Sequence, residues 1–280
     1  MFNKKRLIAL LTGTLLVESL AVGCSSSNAG SGSGNESNKI TVSGSTSIGP
    51  TMEILAEDYQ KENKGTTIEV QQVGSSAGIT NTIDGTSQIG MSSRDLKDEE
   101  KSELKEYQIA IDGIAVITNS ANKVKDLTLE QVKDIYTGKI TNWKEVGGDD
   151  AEIVVVSRED GSGTRDGFQE IVGFESKDLT SNAQISDGSG NIKTPVQGNE
   201  NAIGYISFGY LDDSINAVKI GGVEPKEENV YKDKYPISRP FLLVTKGEAS
   251  GEAKSFIDYI LSDKGQKTIE NQGFMSINEK

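Results

Sequence analysis

Histidine is absent from the 280 residues, and cysteine and tryptophan occur once each. The first absence removes Ser-His-Asp and Cys-His catalysis, and with them every zinc site built on an imidazole. The lone cysteine, Cys24, excludes an internal disulfide. Cations are in deficit too. With 29 Lys and Arg against 42 Asp and Glu the net charge is −13, the wrong sign for the cationic stripes that nucleic-acid backbones require. No nucleic acid is expected as a partner. The acidity speaks for solubility, and a small-ligand pocket is judged on its own residues because salt screens charge beyond about 8 Å. Proline is scarce (5) and aromatics are few (6%), whereas glycine is abundant (31), which suits an α/β chain with many tight turns. The length suffices for two domains with their own cores.

Long hydrophobic runs are missing as well. Leu7–Val17 follows Lys4, Lys5 and Arg6 and is too short to span a bilayer, so residues 1–23 read as a signal peptide. Ala21-Val22-Gly23-Cys24 resembles the lipobox of bacterial lipoproteins, with Ala21 where leucine is usual and Glu18 near the end of the apolar run. That resemblance implies lipidation at Cys24, such as palmitate. The mature chain would then sit lipid-anchored at the cell surface, on the outer face of the cytoplasmic membrane. Residues 24–38 are rich in Ser, Gly and Asn and form a flexible tether. Loss of residues 1–23 removes Lys4, Lys5, Arg6 and Glu18 and moves the net charge to −15.

From Lys39 onward one device recurs: a short strand, a turn of small hydroxylated residues, a helix start. It appears at Gly44-Ser45-Thr46-Ser47, at Gly74-Ser75-Ser76 and, most fully, at Ser157–Gly167 after the strand run Ile153–Val156. A strand ending in Ser92-Ser93-Arg94 offers the same residue types. Glycines let a ligand approach closely, and a helix N-terminus presents free N–H groups at the positive end of its dipole. Around Ser162, hydroxyls, backbone donors and the Arg158 guanidinium together make a site for a small oxyanion. Simple helix capping, with Arg158 and Asp160 as a surface pair, is the equally weighted reading of that stretch alone.

Two other patterns do not carry the chemistry they first suggest. Ser102-x-x-Lys105 lies in a charged segment, Asp98–Tyr107, expected to be a solvated helix, and lacks the Ser-Asp-Asn and Lys-Thr-Gly partners of penicillin-recognising enzymes. Asp187-Gly188-Ser189-Gly190-Asn191 starts like a calcium loop, but Ile192 stands where glycine is required and Gly198 where the bidentate Glu belongs, so no metal is expected.

The block Leu127–Trp143 resembles a signature of the phosphate-binding proteins of bacterial ABC importers. Gly44–Ser47, Arg158–Thr164, Ala202–Ile206 and Pro236–Pro240 match the same family in the same order, so the resemblance covers nearly the whole mature chain. It implies the α/β fold of type II periplasmic binding proteins, two-lobed with two hinge crossovers and an interlobe ligand cleft. Lobe 1 would comprise 39–112 plus 237–280, and lobe 2 residues 113–236. Ser45, Thr46, Ser47, Ser75, Ser76 and Ser93 would bind phosphate from lobe 1, and Arg158, Ser162, Gly163 and Thr164 from lobe 2. Asp160 would hold the Arg158 guanidinium in plane, with Arg94 in support. The Gly-rich turn Asp187–Asn191 would lie close to the ligand cleft. Members often carry an Asp where this chain has Ser93, as acceptor of the phosphate proton. The resemblance further implies no cofactor, no catalysis, and ABC importer permease subunits as partners. The alternatives are a binder of sulfate, molybdate or tungstate, and a serine hydrolase, which lacks a base here.

Overall fold

The computed structural model describes residues 38–278; the signal segment, Cys24 and residues 24–37 of the tether lie outside the described residues. The chain runs β1 (Asn38–Gly44), α1 (Gly49–Glu62), β2 (Thr66–Gln72), α2 (Ser75–Ile83), β3 (Ile89–Ser92), α3 (Asp98–Lys101) and the long β4 (Leu104–Thr118). It continues with β5 (Asp126–Leu127), α4 (Leu129–Tyr136), β6 (Val154–Arg158), α5 (Gly163–Val172), β7 (Gln184–Ser186), α6 (Lys193–Gln197) and β8 (Ala202–Ser207). β9 (Asn216–Ala217), β10 (Lys219–Ile220), α7 (Glu227–Tyr231), β11 (Ser238–Lys246), α8 (Gly251–Leu261) and α9 (Asp263–Asn271) complete it.

Eight strands follow one hydrogen-bonded path, β2-β1-β3-β11-β4-β8-β6-β7, with β9 also on β4, while β5 and β10 pair in a separate two-stranded sheet. β1, β2 and β3 are mutually parallel, as are β6, β7 and β8, while β4 and β11 run antiparallel to their neighbours. β4 belongs to both halves: residues up to Gly113 pair with β11, and Ile114–Thr118 pair with β8. The chain crosses between the halves there and again where Ile114 N–H donates to Ile237 O at 2.8 Å.

Each half buries its own apolar set. One core gathers Ile40, Val42, Met52, Leu55, Phe241 and Phe256; the other gathers Ile114–Ile117, Tyr136, Trp143, Phe168 and Tyr205. α1 fits the first because Met52, Leu55, Ala56 and Tyr59 repeat at helical spacing on its buried face. Pro50 sits in its first turn, where no backbone donor is lost. α4 closes the second with a capping box, Gln131 N–H to Thr128 Oγ1 at 3.1 Å and Thr128 N–H to Gln131 Oε1 at 2.8 Å.

The helix expected over Asp98–Tyr107 is a correction. Helix α3 stops at Lys101, and Leu104 already begins β4, paired with Lys246. Sheet pairing overrides the helical propensity of Lys105 and Glu106. Ser102 and Lys105 therefore do not share a helix.

Candidate anion-binding site

The strand ends that carry hydroxylated turns open on one cleft, as parallel strands in α/β folds do. Lobe 1 supplies the turns after β1, β2 and β3; lobe 2 supplies those after β6, β7 and β8. Ser47 Oγ shares hydrogen bonds with Thr164 Oγ1 at 2.8 Å and Ser189 Oγ at 2.7 Å, and accepts from Arg239 Nη2 at 3.3 Å. Thr46 Oγ1 accepts from Arg158 Nη2 at 3.1 Å and from Ser189 N–H at 3.2 Å. Beside them Ser75 and Ser93 share a hydroxyl pair at 3.2 Å, and Ser76 N–H donates across the cleft to Gly161 O at 3.2 Å. These groups form a closed cage, buried except at Thr46, Ser76 and Gly161, which are partly exposed.

Gly163 is where the two sides come closest. A Cβ there would stand 2.2 Å from Ser75 Oγ and 2.7 Å from Ser93 Oγ, so only glycine lets the N-terminus of α5 meet the lobe 1 hydroxyls. Ser162 caps that helix, its Oγ accepting from Arg165 N–H at 3.3 Å. Ser45 does the same local work, accepting from Ser47 and Ile48 N–H at the start of α1. Thus Thr46, Ser47, Ser75, Ser76, Ser93, Gly163 and Thr164 meet across the cleft, while the Ser45 and Ser162 hydroxyls shape their own turns.

The guanidinium of Arg158 is held in plane by Glu159, not by Asp160. Nε donates to Oε2 at 2.8 Å and Nη2 to Oε1 at 2.7 Å, while Nη1 reaches Ser189 Oγ at 3.0 Å. Asp160 is solvent-exposed and pairs with Arg165 Nη1 at 2.7 Å. The left-handed Gly161 turns the chain just after Asp160, leaving that carboxylate outside. Burial alone would raise the Glu159 carboxyl; the Arg158 charge and a hydrogen bond from Gly188 N–H hold it below its usual range. Arg94 also departs from the expected role. It binds Glu100 and Asp166 at the edge of the cleft, and the cage bonds do not include it.

Arg239 and Asp112 were not anticipated. They face each other in the β4–β11 ladder, with Arg239 Nε and Nη2 on Asp112 Oδ2 at 3.0 and 2.8 Å, and Asp112 Oδ1 accepts from Ser207 Oγ and Phe208 N–H. Burial pushes the Asp112 carboxyl up and the Arg239 guanidinium down, each opposed by the partner's charge. Arg239 Nη1 donates to Ser93 O at 2.9 Å, tying the pair to the cage. The sequence signal is a charged residue inside each of two apolar strands, which marks a buried pair without naming the partner; Ser189, in a Gly-Ser-Gly turn expected near the cleft, joins the cage. Tyr210 closes the rim by donating to Thr46 O at 2.7 Å, and burial pushes its phenol up to about 12. Two depressions lie elsewhere, one of 520 Å³ along β4 and β11 and one of 940 Å³ between β4, α7 and the C-terminal Ser276 and Ile277, and neither carries any of the cage hydroxyls. The buried donors converge in the cage instead.

A family model described as a PBP superfamily domain matches residues 29–264. The phosphate-binding protein PstS of Borreliella burgdorferi is 30% identical over 85% of this chain and 90% of its own. Among solved structures, a phosphate ABC transporter substrate-binding protein with bound phosphate from Clostridium perfringens is 62% identical, covering 86% of this chain and all of that one, with a TM-score of 0.83. An ABC-type phosphate transport receptor from Vibrio cholerae is 39% identical over 84% of this chain and 99% of that one, with a TM-score of 0.75. PstS of Bacillus subtilis is 36% identical across 100% of this chain and 96% of its own. With that whole-length match carried on a two-lobed fold, this protein belongs to the phosphate-binding PstS family of the PBP superfamily.

Proposed function

We propose that this protein is an extracytoplasmic solute-binding protein that captures inorganic phosphate between its lobes and delivers it to the permease subunits of an ABC importer. The observation that carries the reading is the cage: hydroxyls of Thr46, Ser47, Ser75, Ser93, Thr164 and Ser189 gather from both lobes on the N-terminus of α5. Both arginines in the cage are already balanced by a carboxylate, Arg158 by Glu159 and Arg239 by Asp112. Neutral donors with matched cations suit a small, strongly hydrated tetrahedral anion, because they replace its hydration shell without excess charge. Ser45, Ser76, Ser162 and Gly163 complete the set by fixing turns and offering backbone donors. Binding draws on both sides at once, so phosphate favours the closed form, and the permease reads that form.

Calorimetry of the mature chain with inorganic phosphate tests this. Trp143, the lone tryptophan, is sunk in the lobe 2 core with Nε1 on Asn201 O, which makes heat the more direct readout than fluorescence. We expect one saturable site, a raised melting temperature and a more compact scattering profile on binding, with no turnover of phosphate esters. Stoichiometric binding of molybdate or tungstate in preference to phosphate would overturn the ligand assignment. Among rival anions sulfate is the one the site discriminates against least, because Ser93 brings a hydroxyl where a carboxylate would exclude it, and phosphate is expected to remain preferred. Lipid anchoring through Cys24 belongs to the same proposal; mass spectrometry of the membrane-extracted chain tests it.

A further inference from the structure

We propose that Arg94 and Asp166 form an interlobe latch, outside the cage, that sets how tightly the closed form holds its anion. Arg94 follows Ser93 in lobe 1, and Asp166 lies three residues beyond Gly163 on α5, so the pair stands immediately behind the point of closest approach. Arg94 Nε donates to Asp166 Oδ2 at 3.1 Å. Its other nitrogens stay within lobe 1. Nη1 donates to Glu100 Oε2 and Asp95 O, each at 2.8 Å, and Nη2 donates to Glu100 Oε1 at 2.9 Å. Glu100 is fixed in turn by Lys97 N–H in the capping box of α3.

The asymmetry of this arrangement makes it reversible. When the lobes part, Arg94 keeps Glu100 and is not left as a bare buried charge. Asp166, whose side chain is 31% exposed, exchanges the guanidinium for water. Neither partner is stranded, so opening is not prohibitive and closing yields only the modest gain of a partly exposed ion pair. Because the closed form is the one that binds, any shift in its population multiplies directly into apparent affinity. A simple charge account gives the opposite sign: deleting a carboxylate beside an anion site should tighten binding. The direction of the effect therefore separates the two.

The inference rests on the phosphate-binding reading for its affinity readout. The test compares parent, Asp166→Asn and Asp166→Glu in the full mature chain by phosphate titration and stopped-flow dissociation. We expect Asp166→Asn to weaken binding about two- to fivefold through faster release, with an unchanged melting temperature of the free protein, and Asp166→Glu to retain most of the affinity. The loss should shrink at high salt, where the parental pair is screened. Unchanged or tighter binding by Asp166→Asn, or a loss confined to association, would overturn the latch. A parent that fails to bind phosphate defeats the functional reading instead. In that case small-angle scattering of free parent and Asp166→Asn decides the latch: an expanded variant supports it and identical curves overturn it.

Discussion

Arg158 enters the cage with its charge matched by Glu159 and its remaining donors on Ser189 and Thr46. Arg158→Ala therefore removes a donor set and also exposes an uncompensated carboxylate to the anion. We expect a loss of about 2–5 kcal/mol in phosphate binding, roughly 30- to several-thousand-fold. Thr164→Val, which removes one neutral hydroxyl, should cost only about 0.5–1.5 kcal/mol. Equal losses in calorimetry would remove Arg158 from the ligand shell. At Ser93 the expectation concerns selectivity. Its hydroxyl can accept the phosphate proton or rotate to donate to sulfate, whereas a carboxylate there, close to Arg239, accepts only. Ser93→Asp should widen the preference for phosphate over sulfate roughly tenfold, about 1.4 kcal/mol, near neutral pH. An unchanged ratio in paired titrations would place discrimination elsewhere. Most cage hydroxyls were legible because the strand, hydroxylated turn and helix start recur several times and the family resemblance gives those turns a role that capping alone does not. Which of two adjacent acids grips Arg158 was not, since the turn at Gly161 decides it. The Arg239–Asp112 pair spans 127 positions of sequence, and no local pattern specifies such a partner.

Helix α5 is the element on which closure turns. Its interior is ordinary, with Phe168 and Val172 buried and Gly173 in a left-handed C-cap. Its first residue is not, because Gly163 abuts Ser75 and Ser93 across the cleft. Gly163→Ala suits the helix itself, alanine being about 1 kcal/mol the better helix former. The added methyl, however, wedges the lobes apart. We expect phosphate affinity to fall at least about tenfold while the free protein melts no lower than the parent; undiminished affinity would show that the two sides need not meet. Among the other elements, α1, α8 and the buried strands were readable from periodicity. The stretch after Lys101 was not, because β4 gains its strand character from β11, more than a hundred residues downstream. Helix α9 shows why some helices give little signal: its buried face is Gly265, Gln266 and Ile269, with one large apolar residue to set a period.

At the scale of the molecule, Glu100 and Glu159 link stability to pH. Burial would raise each carboxyl, but Arg94 and the Lys97 backbone, and Arg158 and the Gly188 backbone, bring them below the ordinary value of 4.5. A carboxyl lowered in the folded state contributes stability that is present above the unfolded value and is lost as pH falls through the folded one. The melting temperature of the free protein should thus stay flat from neutrality to about pH 5 and decline below it. Glu159→Gln should flatten that decline, and an equally steep one would move the acid sensitivity to other groups. The path of β4 carries a different consequence. Lobe 2 is continuous in sequence from Ile114 to Ile237, whereas in lobe 1 the N-terminal part of β4 has β11 as its partner and β11 lies between it and β3. A chain emerging from its amino end can thus complete the second lobe while the first still lacks its middle strand. Lobe 1 lacks its middle strand until Ser238–Lys246 is available. We therefore expect the inserted lobe to gain hydrogen-exchange protection before the host lobe when the chain folds from its amino end; simultaneous protection would show that the thread of the chain does not set the order.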